Sequence, residues 1–163
     1  MTRFIETKCK SFINRMNESL FTIHVYSLRL SGNMYRGCQF DCPYCFAPFT
    51  MKFSEGMSPR DFGTSIFVRT NSPQVVDQEL LKFDRLSIQK EYVDLGTVTD
   101  SYQAAERKYN LTRKILKVFN NRNFPATLLT KSDLVLRDID VWAELASKEM
   151  GAVGMTITMP TIK

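Results

Sequence analysis

The sequence lacks any long apolar run. No stretch approaches the roughly 18 consecutive apolar residues of a membrane-spanning helix, so a helical span is excluded. The opening segment, Met1 to Glu18, has no apolar stretch of the kind a secretory signal needs. Its acidic residues Glu6 and Glu18 argue against a mitochondrial transit peptide, and a cytoplasmic address is expected. Repeats and low-complexity tracts are absent. Cysteine is scarce: four in 163 residues, unevenly placed, too few for a disulfide scaffold. Histidine is scarcer still, with His24 alone. Neither sign of charge dominates, since 22 Lys and Arg against 17 Asp and Glu leave a net +5. That surplus is compatible with nucleic acid or another phosphate-bearing partner without calling for one. Lys8, Lys10, Arg15 and the group Arg107, Lys108, Arg113, Lys114 and Lys117 read as solvated faces. What the chain does have is 44% hydrophobic residues. That suffices for one domain with a core and rules out a disordered chain.

The order of segments is an alternation. Leu20 to Leu30 reads as a strand, followed by turn residues and a loop. A mixed stretch runs on to Gly63. Ile66 to Val68 is a short buried strand ending at Arg69-Thr70-Asn71. Ser72 then caps a helix with Pro73 at its first position, and Val76, Leu80 and Phe83 keep the spacing of a buried stripe. Tyr92 to Val98 is the next strand. One long helix is expected over about Ala104 to Asn121, with Leu111, Ile115, Val118 and Phe119 inward. Phe124 to Thr130 is a strand with Pro125 at its start. A helix carrying Ile139, Trp142 and Ala146 follows and stops at Gly151. Ala152 to Met159 closes the series.

Strand and helix in alternation build a parallel α/β sheet, either open and doubly wound or closed into a barrel. In both, ligands sit at the carboxyl ends of the strands. Polar segments gather there: Arg69-Thr70-Asn71, Thr97 to Asp100, Thr130-Lys131-Ser132 and Thr156 to Thr158. The loop after the first strand belongs to the same face.

That loop holds three of the four cysteines, Cys38, Cys42 and Cys45, in a C-x3-C-x2-C spacing. In a reducing compartment, clustered thiols mean metal or catalysis. A closed zinc site wants four ligands, and only His24 or Cys9 could complete one. Three thiolates on one loop suit a [4Fe–4S] cluster instead. Clusters of the ferredoxin type take four cysteines, so three leave one iron open to a substrate or cofactor.

C-x3-C-x2-C with Tyr44 before the third cysteine resembles the radical S-adenosylmethionine (SAM) superfamily. Asn33-Met34-Tyr35-Arg36-Gly37-Cys38, Cys45-Phe46-Ala47, Leu95 to Gln103 with Glu106-Arg107, and Leu129 to Ser132 resemble its spore photoproduct lyase-related branch. The likeness runs from about Tyr26 to Thr158. It implies a full or partial (β/α) barrel with the cluster loop, residues 37–48, after the first strand. It also implies a lyase-like radical enzyme. On that resemblance the amino and carboxylate groups of SAM chelate the open iron, an electron from a flavodoxin- or ferredoxin-type donor cleaves SAM, and a 5′-deoxyadenosyl radical abstracts hydrogen from substrate. By the same resemblance Cys38, Cys42 and Cys45 ligate the cluster, and Tyr44 lies by the adenine. Thr99 and Asp100 match a Ser-Asp pair near SAM, Lys131 meets its carboxylate, and Thr156 or Thr158 reaches the ribose.

The chain departs from the pattern in places. Arg69-Thr70-Asn71 stands where a Gly-Gly-Glu motif is common, which leaves Asn71 or a backbone carbonyl to hold the SAM amine. Thr97 stands where spore photoproduct lyase keeps its hydrogen-donating cysteine, so lesion repair through that thiol is not expected. A full barrel runs to roughly 250 residues. Residues 1–19 are therefore read as an extension and residues 20–163 as a partial barrel core. A truncated product, a fragment, or a subunit completed by a missing segment or partner would each account for it. A non-catalytic iron–sulfur or SAM-binding module, and a zinc-binding interaction domain, are the alternatives. The substrate stays open, with nucleic acid among the candidates.

Overall fold

Short apolar segments bounded by turns pair into two sheets, with helices laid against the larger one. The computed structural model describes residues 2–16 and 30–158. The strands are β1 (Arg3–Thr7), β2 (Ile13–Arg15), β3 (Leu30–Gly32), β4 (Tyr35–Arg36), β5 (Ser65–Arg69), β6 (Val93–Leu95), β7 (Ala126–Thr130) and β8 (Gly151–Met155). The helices are α1 (Ser72–Arg85), α2 (Ala105–Tyr109), α3 (Leu111–Asn121) and α4 (Ile139–Ser147). Single 3-10 turns cover Ala47–Phe53, Pro59–Asp61 and Asp133–Asp138. The class is α/β. No helix among the described residues is long and apolar enough to cross a membrane.

The smaller sheet has the order β1-β5-β4 and the larger one β2-β3-β6-β7-β8. β1 runs parallel to β5, from Arg3 opposite Ser65 to Thr7 opposite Arg69, and β4 runs antiparallel to β5. In the larger sheet β3, β6, β7 and β8 are mutually parallel and β2 is antiparallel to β3. The expected uniform parallel sheet is therefore a pair of mixed sheets. Residues read as an N-terminal extension supply one strand to each. Phe12, between those strands, is fully buried. Most of the expected first strand, Leu20 to Leu30, and His24 with it, lies outside the described residues.

One core joins the larger sheet to its helices. Val93, Leu95, Ala126 and Leu128 face Val76 and Leu80 of α1, Ile115, Leu116 and Phe119 of α3, and Trp142 and Leu145 of α4. Phe124 meets Phe83 and Phe119 edge to face, with centroids 5.1 and 5.8 Å away. Each such fully buried side chain contributes roughly 1.5–3 kcal/mol. A second, smaller apolar cluster of Cys38, Ala47, Met51 and Phe62 seats the cysteine loop, with Cys45 packed against it.

The helices depart from the sequence reading at three places. The expected single helix over 104–121 breaks at Asn110, which takes a left-handed φ of 54°. There the Glu106 carboxylate accepts the Leu111 and Thr112 amide N–H groups (2.9 and 3.0 Å), capping α3 from outside it. The buried stripe of α4 is Val141, Trp142 and Leu145, whereas Ile139 and Ala146 are exposed. The inward face of α4 thus has a different phase from the one read from Ile139. Finally, Gly151 opens β8 instead of ending α4. The helix stops at Ser147, and Glu149 takes the left-handed position (φ 58°) expected of a glycine.

Candidate functional site

The parallel strands deliver their carboxyl ends to one edge, and polar side chains tie those ends together. The Gly96 N–H donates to the Gly32 carbonyl (2.9 Å), joining β6 to β3. Asn33 donates to the Thr97 hydroxyl (3.0 Å) and accepts from the Val98 N–H (3.1 Å). Asp100 reaches across to β7: its carboxylate accepts from the Thr130 hydroxyl (2.7 Å) and the Lys131 N–H (2.9 Å), and from the Tyr102 N–H (2.8 Å). The Thr156 N–H donates to the Thr130 carbonyl (2.8 Å), adding the end of β8.

The cysteine loop is clamped onto this edge. Its entrance requires Gly37, whose φ is +84° and whose missing Cβ would lie 2.4 Å from the Ser65 carbonyl oxygen. The Gly37 carbonyl accepts from the Thr99 hydroxyl (2.7 Å) and the Gln103 amide (3.1 Å). Two glutamines complete the clamp. The Gln103 carbonyl accepts from the Gln39 N–H (3.1 Å), and the Gln39 side chain accepts from the Ala105 N–H (3.0 Å). The segment 37–39 is thus bonded on both sides to the segment 99–105, and the Cys38 N–H donates to Phe62 O (2.9 Å).

Each cysteine then has its own surroundings. Cys38 is buried. Burial pushes its thiol up, while the N–H groups of Phe40 and Asp100, directed at the sulfur, act to lower it. Cys42 and Cys45 are half-buried on a turn closed by Cys45 N–H to Cys42 O (2.9 Å). The Ala47 N–H donates to the Cys45 sulfur (3.4 Å). Lys131 comes from β7 to meet this part of the loop. Partial burial opposes its charge, but contacts with Tyr44 and Cys42 more than offset that and raise its pKa. Its Nζ lies 5.2 Å from the Tyr44 ring centroid.

Cys38, Cys42, Cys45, Tyr44, Thr99, Asp100 and Lys131 thus gather at one edge. Thr99 and Asp100 engage their side chains within the protein, so what they contribute is position. Thr156 joins through its backbone, and Thr158 is exposed beyond β8. Asn71 belongs elsewhere: its side chain accepts from the Cys9 N–H (2.8 Å) and donates to the Cys9 carbonyl (2.9 Å). Among the described residues, no three Cys, His, Asp or Glu side chains converge as a metal-binding group in their present rotamers. The donor set nonetheless fits an iron–sulfur cluster. Three soft thiols share one anchored loop, amide N–H groups point at two of the sulfurs, and a cation stands beside the third.

Gln39, Gln103 and Asn33 went unassigned in the sequence reading, as did a buried group around Glu106. Glu106 is fully buried, accepts the Tyr35 hydroxyl, and pairs with Arg137 (2.8 Å). Arg137 also pairs with buried Asp138 (2.7 Å), to which the Tyr102 hydroxyl donates (3.1 Å). In the sequence Glu106 counted only with Arg107 as part of the branch resemblance, and no structural role was read for it.

Comparison with known proteins gives sequence relatives only. The chain is 35% identical over 156 residues to uncharacterized proteins of Mycobacterium bovis (Mb2609c) and Mycobacterium tuberculosis H37Rv (Rv2578c), matching 96% of this chain and 44% of each relative. It is 36% identical over 119 residues to an uncharacterized protein of Methanocaldococcus jannaschii (MJ0683), matching 73% of this chain and 41% of that protein. The chain spans less than half the length of these curated relatives. No family model matches the chain. No solved structure matches it either.

Proposed function

We propose that the chain is part of the core of a radical SAM enzyme, a partial (β/α) barrel holding a [4Fe–4S] cluster on Cys38, Cys42 and Cys45. The observation that carries this reading is the clamp. It fixes a three-thiol loop against the carboxyl ends of parallel strands and brings a lysine from a neighbouring strand to the same loop. When bound, the cluster would supply an electron to the sulfonium of SAM, and the adenosyl fragment would take a hydrogen atom from substrate.

The chain's own residues have separable parts in this. Cys38 is held in place by the loop's anchors; burial raises its thiol pKa, its two N–H contacts partly offset that, and a bound metal would draw it to the thiolate. Cys42 and Cys45, less buried, turn to complete the set. Lys131 offsets negative charge beside Cys42, where a SAM carboxylate would also sit, and the exposed Tyr44 ring offers the adenine a face. Thr99, Asp100 and Gln103 are positioning residues, acting through the loop they hold. A flavodoxin- or ferredoxin-type protein would provide the electron.

Anaerobic reconstitution with iron and sulfide tests the reading. The wild type should take up about four irons per chain. Cys42→Ala should lose them and Cys9→Ala should keep them. Dithionite and SAM should then yield 5′-deoxyadenosine. A cluster without that product would make the chain a binding module within a longer enzyme. One tightly held zinc and no cluster would refute the proposal.

A further inference from the structure

A second feature lies where the two sheets meet, on the side marked by Cys9 and Asn71. A cavity of about 520 Å³ opens between β1, β2, β4 and β5, and Lys8, Lys10, Arg36 and Arg69 line it with Cys9 and Phe67. Four cations face it against one lining carboxylate, Glu55. Among the described residues none of those four cations forms a salt bridge, although eight ion pairs occur elsewhere.

We propose that this cavity binds a small phosphate-bearing anion. Both arginines are held by neutral acceptors: Arg69 donates to the Asn33 carbonyl (2.9 Å), Arg36 to the Phe53 carbonyl (3.0 Å) and the Ser54 hydroxyl (2.8 Å). These bonds aim the guanidinium groups and leave their charge uncompensated. A guanidinium has five N–H donors, so most remain to be satisfied. Burial lowers the pKa of Arg69, and the charge of Arg36 beside it adds to the effect. Two cations kept together and partly out of water are costly without an anion between them.

Glu55 is the one carboxylate in the lining, against four cations. Glu79 of α1 lies outside the lining, with its carboxylate bonded to the N–H groups of Phe12 and Ile13 (3.1 and 2.9 Å). Burial pushes the Cys9 thiol up, so it stays neutral. Two guanidinium forks flanked by two flexible ammonium groups match a ligand with several oxygens and more than one negative charge. The volume admits a small molecule. None of the three loop cysteines lines this cavity, and its test does not depend on a cluster.

Isothermal titration of the full chain with pyrophosphate in chloride buffer tests the proposal. Saturable binding at one site per chain is expected, weakening as salt is raised. Lys8 and Lys10 are exposed, so Lys8→Gln with Lys10→Gln should leave folding intact and weaken binding about tenfold or more. Arg69→Gln should weaken it further, and Glu55→Gln should tighten it. Three results would overturn the proposal: no saturable heat at millimolar pyrophosphate, citrate binding as tightly as pyrophosphate, or a single-stranded oligonucleotide binding that pyrophosphate does not displace.

Discussion

Glu106→Ala should remove a large share of the domain's stability. The carboxylate is fully buried and receives four partners: the Tyr35 hydroxyl, the Leu111 and Thr112 N–H groups, and Arg137. Truncation orphans three donors in a fully buried site. Each orphaned donor costs about 1–3 kcal/mol, at the low end where solvent enters the space left behind. Arg137 keeps Asp138, so its charge is not stranded. The sum is about 3–5 kcal/mol, in line with breaking a buried pair, against a total stability of about 5–15 kcal/mol. Urea titration can follow this through Trp142, the only tryptophan, which is buried and donates to the Tyr102 hydroxyl (3.0 Å). With a slope of about 2 kcal/mol per molar, the midpoint should fall by about 2 M. Glu106→Gln keeps the shape and one acceptor and should lose about half as much. Glu144→Ala breaks an exposed pair with Lys148 (3.6 Å) and should cost under about 0.5 kcal/mol. A Glu106→Ala midpoint within about 0.5 M of wild type would refute the reasoning.

Two further outcomes follow from the geometry. Gln103→Leu removes the clamp's central amide while keeping its bulk. Amide hydrogen exchange across Gly37 to Asp41 should quicken by about tenfold or more, with a smaller change in the α3 amides. Asp140 bonds to Arg113 (2.7 Å), which holds its carboxyl down at about 2. A folded pKa below the unfolded one adds stability that is present above about pH 4 and disappears as pH falls towards 2. Asp140→Asn should therefore flatten the acid limb of an unfolding-against-pH curve by slightly lowering the plateau above about pH 4, with little change near pH 2.

Segments whose signal is local were legible from the sequence. Ile66 to Val68 is a contiguous apolar run before a turn, and Ser72-Pro73 marks a helix start that the structure places one residue away, with Asn71 as the cap. The break at Asn110 was not legible, because no Gly or Pro marks it and its cause is a carboxylate folded back from the preceding turn. β1 was hidden by its charged residues Arg3 and Glu6 and by a parallel partner 62 residues away. At the candidate site the cysteines announced themselves by spacing. The clamp did not, because a glutamine side chain bonded to the backbone of a distant loop leaves no period in the sequence. The cationic cavity was hidden for a related reason. Lys8 and Lys10 read as solvated until Arg36 and Arg69 were brought beside them by strand pairing.

The clamp also sets an order of events during synthesis. Its two halves are 64–66 residues apart in the chain. At roughly 5–20 residues per second, the cysteine loop leaves the ribosome about 3–13 seconds before Gln103 does. Until then Gly37 has no donors for its carbonyl, and Cys38 lacks the Asp100 N–H at its sulfur. The thiols are most exposed to stray metals and oxidants in that interval, and the pocket that shelters Cys38 is a late product of translation.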